Sequence, residues 1–293
     1  MSGRADVSGS ASATVASSVS VDELEDARRV AEEIARDAGA VLMQGWGTRP
    51  AFQFKSEDID LVTEWDKRSE ALVVSRLAAA FPGDTIVGEE GAAIGGARRQ
   101  PTGRVWYVDP LDGTTNFAHG FPVFSVSIGL TIDRRPMVGV VNGPAVGWAF
   151  SGVAGAGATM NGKPVSPSRV DTLKRALVVT GFPYLRAPTY SNLPEWTAMT
   201  AAAQGTRRLG SAALDLCFVA CGWLDVYWER MLHPWDLVAG AAIVEAAGGR
   251  ATEMDGTPFD GETGRVLATN GLLHDETSAL LKQVAATSSG AWP

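Results

Sequence analysis

Cysteine and histidine are scarce in this chain, at two and three residues respectively in 293. Cys217 and Cys221 lie four apart in an apolar stretch. That spacing puts them on one face of a helix as buried free thiols, not in a disulfide. Three histidines do not supply a His-based metal site, and His119 and His233, near the acidic motifs below, read as structural. No Ser-His pair marks a nucleophile. No apolar run reaches the 18 or more residues of a membrane span; even 123–132 is broken by two serines. Positive charge is in deficit as well: 25 Lys plus Arg against 33 Asp plus Glu leaves −8. An acidic balance argues against nucleic acid as the main partner, because backbone binding rests on clustered Lys and Arg. A cytoplasmic location, with no membrane partner, is the expectation.

The remainder is material for a globular core: 45% hydrophobic and 20% charged residues, over a length suited to two domains or one two-lobed unit. Residues 1–20 carry seven serines and four alanines and lack a signal-peptide core, which predicts a disordered tail. Helical periodicity begins near Val21, through Ala27, Val30, Ala31, Ile34, Ala38, Val41 and Leu42, and ends near Gly45 and Gly47. A second helix fits 66–81, with Asp66 as its cap and Pro82-Gly83 as its stop. Runs at 85–88, 105–108, 123–132, 137–141 and 148–150 read as consecutive strands of one sheet. The glycine-rich stretch 152–167, with its Asn161-Gly162 turn signal, marks a boundary between lobes. Beyond it, strands at 176–180, 225–229 and 266–269 alternate with helices at 211–221, from Asp236 to Gly248-Gly249, and at 275–285. The division that follows is a tail (1–20), an N-terminal α+β lobe (21–155) and a C-terminal α/β lobe (156–293).

Four acidic stations sit at strand ends or turns: Asp66, Glu89-Glu90, Asp109 with Asp112, and Asp236. The sharpest is 105–117, where an apolar strand delivers Asp109 to its end and Pro110 forces a turn. Asp112 follows three residues on, before Gly113. Two carboxylates brought this close repel each other unless a cation neutralises them. Hard oxygen ligands in this number suit Mg²⁺, which binds through few carboxylates, waters and a substrate phosphate. After Gly113 the chain enters a helix, so the Gly113 and Thr114 amides form an anion site. Metal carboxylates beside a phosphate-binding helix terminus describe phosphoester hydrolysis. Each station alone has a plainer reading. D-P-x-D-G is a common turn, Asp66 and Asp236 are good helix caps, Glu89-Glu90 is ordinary loop charge and Lys55 a surface lysine. Their joint occurrence decides between the readings.

Together these residues resemble the inositol monophosphatase family of lithium-sensitive, Mg²⁺-dependent sugar-phosphate phosphatases. Four blocks carry the resemblance: 55–66 (KSEDIDLVTEWD), 86–91 (IVGEEG), 109–122 (DPLDGTTNFAHGFP) and 235–249 (WDLVAGAAIVEAAGG). It spans the chain from about Val21 to Ala285. The resemblance implies a layered α/β sandwich of two lobes with the active site between them, usually a homodimer. It implies two or three Mg²⁺ per site, held by Glu89, Asp109, the Leu111 carbonyl, Asp112 and Asp236, with Asp109 as a bridge. Asp66, Thr114 and Glu89 would have catalytic roles, the first two orienting a water. Gly113 and Thr114 would hold the phosphate. Asp112, Ser211, Ala212, Glu229 and Asp236 would hold the substrate, a small phosphorylated polyol such as inositol 1-phosphate. Histidinol phosphate, fructose bisphosphate and nucleotide 3′-phosphates are substrates of relatives with the same metal core. A fold-retaining, non-catalytic regulator is the alternative from another class. The intact set of Asp66, Glu89, Asp109, Asp112, Thr114 and Asp236 favours catalysis.

Overall fold

The computed structural model describes residues 19–48, 52–54, 61–91, 93–94, 103–183 and 192–287. The tail expected at 1–20 lies outside them apart from Val19 and Ser20, as does the 55–60 part of the first motif block.

Ser20 opens α1 (Val21–Gly45): its hydroxyl accepts from the Glu23 amide at 3.2 Å, and Glu23 takes the Ser20 amide at 2.8 Å. This reciprocal cap satisfies two helix-end donors. Ala27, Ala31, Ile34, Ala38 and Leu42 are buried, as the periodicity predicts. An antiparallel ribbon, β1 (Phe52–Phe54) and β2 (Leu61–Thr63), leads into α2 (Glu64–Ala80). The cap of α2 is Thr63, not Asp66. Asp66 stands at the third helical position and takes the Thr63 amide at 2.8 Å. A threonine cap with an acid three residues on satisfies more end groups than an aspartate cap alone, so the helix starts earlier.

The first sheet contains β3 (Thr85–Gly88), β4 (Ala93–Ile94) and β5 (Arg104–Asp112). After the short α3 (Thr114–His119) it continues through β6 (Ser125–Ile132), β7 (Arg135–Gly143), β8 (Trp148–Val153), β9 (Gly157–Met160) and β10 (Lys163–Pro164). Its order is β10-β9-β8-β7-β6-β5-β3-β4, and only β3 and β5 run parallel. The turn at Asn161-Gly162 closes the β9–β10 hairpin on the same sheet. This sheet therefore continues to Pro164, past the 155/156 division drawn from the sequence; the glycines serve a tight hairpin, not a linker. Strand β5 does not stop at Pro110. Asp109 pairs with Ser127 and Asp112 with Ser125, three steps against two. The proline, with no N–H to give, sits inside that bulge.

The second sheet follows α/β logic: β11 (Leu177–Thr180), α4 (Leu193–Ala202), β12 (Gly205–Arg207), α5 (Ala212–Ala220), β13 (Val226–Arg230), α6 (Pro234–Ala246), β14 (Arg250–Thr252), β15 (Arg265–Thr269) and α7 (His274–Thr287). Its order is β12-β11-β13-β15-β14. Helices α1 and α2 cover one face of the first sheet, and α6 with α5 beside it lies between the two sheets. Helices α4 and α7 close the outer face of the second. Five layers result. Cys217 is buried in the middle one and Cys221 half-buried at the end of α5, both as free thiols. Among the described residues no helix is long and apolar enough to cross a membrane.

One row of glycines sets the site. Gly129, Gly139 and Gly152 are cross-strand neighbours on β6, β7 and β8. A Cβ on Gly139 would stand 2.0 Å from the Ala239 carbonyl oxygen, and one on Gly129 2.6 Å from the Ala239 amide. Side chains there would lift α6 off the sheet. Asp236, one turn before Ala239, is thereby held beside the end of β5. It too was expected as a cap and is the third helical residue. His233 caps α6, Pro234 follows, and the Asp236 carboxylate takes the His233 amide at 2.7 Å. Proline fits the first helical position because it needs no donor there.

Candidate active site

Strand β5 brings Asp109 into a buried position, where its Oδ1 accepts the Leu111 amide at 2.9 Å. Burial pushes its carboxyl well above the ordinary range; the charges of Glu89, Asp112 and Asp236 push it further, and Glu89 stands within hydrogen-bond reach. Asp112, also buried, is raised to about 6 by desolvation. Its Oδ2 accepts the Ser211 hydroxyl and the Ala213 amide (2.9 Å), and its Oδ1 the Ala212 amide (3.2 Å). Those amides begin α5, whose positive end favours a carboxylate. Asp236, partly buried, is likewise pushed well up by lost hydration and then by Glu89.

Gly113 has φ +90°, a left-handed conformation. A Cβ there would also stand 3.0 Å from the carbonyl oxygens of Gly210 and Val123. Only glycine serves without strain. Thr114 then starts α3, its hydroxyl 3.1 Å from Asp66 Oδ1 and 3.0 Å from the Leu111 carbonyl oxygen. One proton serves one of these acceptors at a time. Asp66 is buried and raised to about 6 by desolvation, despite two bonds from Thr63 that favour its charge.

These residues face a cavity of about 350 Å³. The first half of the chain contributes Glu89, Asp109, Leu111, Asp112, Gly113 and Thr114 to its wall; the second contributes Ser211, Ala212, Glu229 and Asp236. Every site residue read from the sequence is therefore at one place except Asp66, which stands behind the wall and meets it through Thr114. Glu229, buried on β13, accepts the Tyr227 hydroxyl at 2.7 Å and is raised to about 7 by burial. Among the described residues, no three His, Cys, Asp or Glu side chains are already gathered as a metal shell. Asp109, Asp112, Asp236 and Glu229 hold protein donors instead, and the all-oxygen donor set is the kind a hard divalent cation takes.

Sequence reasoning missed Asp215 and Phe182, which also line the cavity, as does Arg208. Asp215 had a signal: it is the one charged residue in α5 (Ala212–Ala220), a helix that is otherwise apolar throughout. Trp235 is also part of the wall and stacks on the His233 ring at 4.6 Å.

The chain matches the family model described as the inositol monophosphatase family over residues 23–288. It is 44% identical over 263 residues to the inositol-1-monophosphatase of Synechocystis, covering 89% of this chain and 91% of that one. To human inositol monophosphatase 1 it is 32% identical over 268 residues, 90% and 96% of the two chains. Among solved structures, the inositol monophosphatase from Anabaena superposes with a TM-score of 0.81 at 44% identity, covering 91% of this chain and 99% of that one. SuhB from Mycobacterium tuberculosis does so at 0.73 and 33%, covering 89% and 97%. A cavity walled by carboxylates from both sheets, in a five-layer sandwich shared with these relatives, places this chain in the inositol monophosphatase family, whose members are phosphoric monoester hydrolases.

Proposed function

We propose that this enzyme is a Mg²⁺-dependent phosphatase that releases inorganic phosphate from inositol 1-phosphate or a closely similar polyol phosphate. The observation that carries this reading is the crowding of Asp109, Glu89, Asp112 and Asp236, whose charges repel one another, around one cavity. Glu89, Asp109, the Leu111 carbonyl, Asp112 and Asp236 would hold two or three ions. Such ions, when bound, supply an activated water near neutral pH and neutralise the leaving oxygen. Phosphate-monoester hydrolysis is so slow uncatalysed that positioning and charge stabilisation must supply most of the acceleration.

The chain's own groups divide the remaining work. Asp66 accepts a hydrogen bond from Thr114, leaving the Thr114 hydroxyl oxygen free to accept from, and so orient, the attacking water. The Gly113 and Thr114 amides hold the phosphate. Ser211 and the α5 amides keep the Asp112 carboxylate turned to the cavity, and Glu229, Ser211 and Ala212 face the alcohol. Asp112 and Asp236 would also form the position at which lithium competes. The homodimer and the cytoplasmic location remain part of this reading; light scattering checks the first.

The test is phosphate release from inositol 1-phosphate with and without Mg²⁺. Release that depends on Mg²⁺ and is lowered by LiCl is the expected result. Release unchanged by chelation, or none at saturating Mg²⁺, sinks the reading.

A further inference from the structure

Asp215 is 1% exposed, and its Oδ1, inside the fold, has no hydrogen-bond partner. The other buried carboxylates facing this cavity all have protein donors: Leu111 for Asp109, Ser211 and Ala213 for Asp112, Tyr227 for Glu229. Burying a polar atom without a partner costs free energy that an apolar side chain at the same place avoids. Fold stability therefore gives no reason for an aspartate here, least of all in a helix whose other eight residues are apolar.

The helix register gives a functional reason. Ser211, Ala212 and Asp215 stand at i, i+1 and i+4, share one face of α5 and all reach the cavity. Leu214, Leu216 and Cys217 point into the apolar layer between the sheets. Across the cavity wall stands Glu229, whose charge acts against that of Asp215. The Tyr227 hydroxyl donates to Glu229 at 2.7 Å and the Gly181 amide bonds it too, so the Glu229 side chain is held in place. The two acids both belong to the second half of the chain's contribution to the cavity wall.

We infer that Asp215 is a specificity-determining residue: with Glu229 it forms an acidic wall that recognises the leaving alcohol by accepting hydrogen bonds from its hydroxyls. The inference rests on the phosphatase reading above and adds the class of leaving group. A protonated amine would meet Arg208, which lines the same cavity and whose charge bears on both acids. Neutral hydroxyls bond to the cavity-lining carboxyls without that penalty. Burial pushes the Asp215 carboxyl well up; the neutral form both donates and accepts, as a hydroxyl does.

The experiment compares Asp215→Ala and Asp215→Asn with wild type on three phosphates: inositol 1-phosphate, 4-nitrophenyl phosphate and an aminoalkyl phosphate. Asp215→Ala should lower kcat/KM for inositol 1-phosphate about fivefold to tenfold. The loss should fall mainly on KM, with 4-nitrophenyl phosphate nearly unchanged. Asp215→Asn should recover most of it, because an amide still accepts and donates. Equal losses on inositol 1-phosphate and 4-nitrophenyl phosphate, or no loss on either, overturn the assignment. Failure of Asn to recover, or a loss greatest on the aminoalkyl phosphate, shows that charge is read and overturns the polyol class. A wild type that cleaves 4-nitrophenyl phosphate but not inositol 1-phosphate overturns the proposed function, and this inference with it. A wild type that cleaves both, with its preference untouched by Asp215→Ala, overturns this inference alone.

Discussion

The Ala213 amide donates to Asp112 Oδ2 over 2.9 Å, so a carboxylate from the end of the first sheet is seated on the first turn of α5. The Ser211 hydroxyl donates to the same oxygen while also capping α5 through the Leu214 amide. These bonds hold the carboxyl of Asp112 below where burial alone would put it.

Ser211→Ala should therefore do two things. Losing a cap and a charged hydrogen bond should destabilise the fold by about 1–3 kcal/mol. It should also raise the Asp112 pKa, so that protons compete better with Mg²⁺. The Mg²⁺ concentration for half-maximal activity should rise more at pH 6 than at pH 8, as activation curves at both values will read. An equal shift at the two values removes the link between Ser211 and Asp112 ionisation.

Asp109→Asn keeps the shape of the side chain and removes its charge. Turnover should fall by orders of magnitude, while circular dichroism shows an intact fold with an unchanged or higher melting temperature. Melting should not suffer because a repelled, buried carboxylate has been relieved. Near-normal turnover at saturating Mg²⁺ contradicts its proposed place between two ions.

The carboxylates also set the pH dependence of stability. Asp66 and Asp112 are raised from 3.8 to about 6, and Glu229 from 4.5 to about 7. A raised folded-state pKa contributes stability below the unfolded value and loses it as pH rises through the folded value. The metal-free protein should thus melt at falling temperature from about pH 5 to pH 8, each group costing on the order of a few kcal/mol once ionised. Mg²⁺ should raise the melting temperature, and more at pH 8 than at pH 5, because it binds the ionised folded state. Scanning calorimetry with and without chelator reads both slopes.

Much of this was legible in the sequence, for identifiable reasons. The strands of the first sheet are apolar runs bounded by turns, and α1, α5 and α7 carry clear periodicity or stops. Reading Asp66 and Asp236 as caps puts both helix starts late, because aspartate is a good cap; the Thr63 hydroxyl and the Pro234 ring, which decide the true starts, are weaker signals. Strands β12 and β14 have three residues each, too few for any period to show. Asp215 escaped because an acid in a helix is ordinarily solvated; only its surroundings, all apolar, mark it out.

Thr114 offers a test of water positioning. Its hydroxyl lies between Asp66 and the Leu111 carbonyl, so Thr114→Ala removes the link from Asp66 to the cavity. Turnover should drop about a hundredfold, in the range of a lost proton-handling group, with KM little changed. Thr114→Ser, which keeps the hydroxyl, should recover most of it. A rise in KM with turnover intact would instead assign Thr114 to substrate binding alone.

Glu229 closes the set, because its surroundings make a pH-dependent claim as well as a mutational one. One oxygen of its carboxylate accepts the Tyr227 hydroxyl at 2.7 Å, and the Gly181 amide bonds it too. Both bonds aim the group at the cavity and favour its ionised form, against burial that raises it to about 7. An ionised carboxylate accepts the stronger hydrogen bonds, so preference for a polyol phosphate over 4-nitrophenyl phosphate should grow as pH rises through 7. Glu229→Gln should lower kcat/KM for inositol 1-phosphate roughly tenfold, leave 4-nitrophenyl phosphate nearly untouched and flatten that pH dependence. The glutamine still accepts from Tyr227, so the fold should hold. If both substrates suffer equally, Glu229 serves the ions or the packing of β13 and not the alcohol. If the loss is selective but the pH dependence persists, another group in the cavity titrates there, and Asp112, at about 6, is the next to replace.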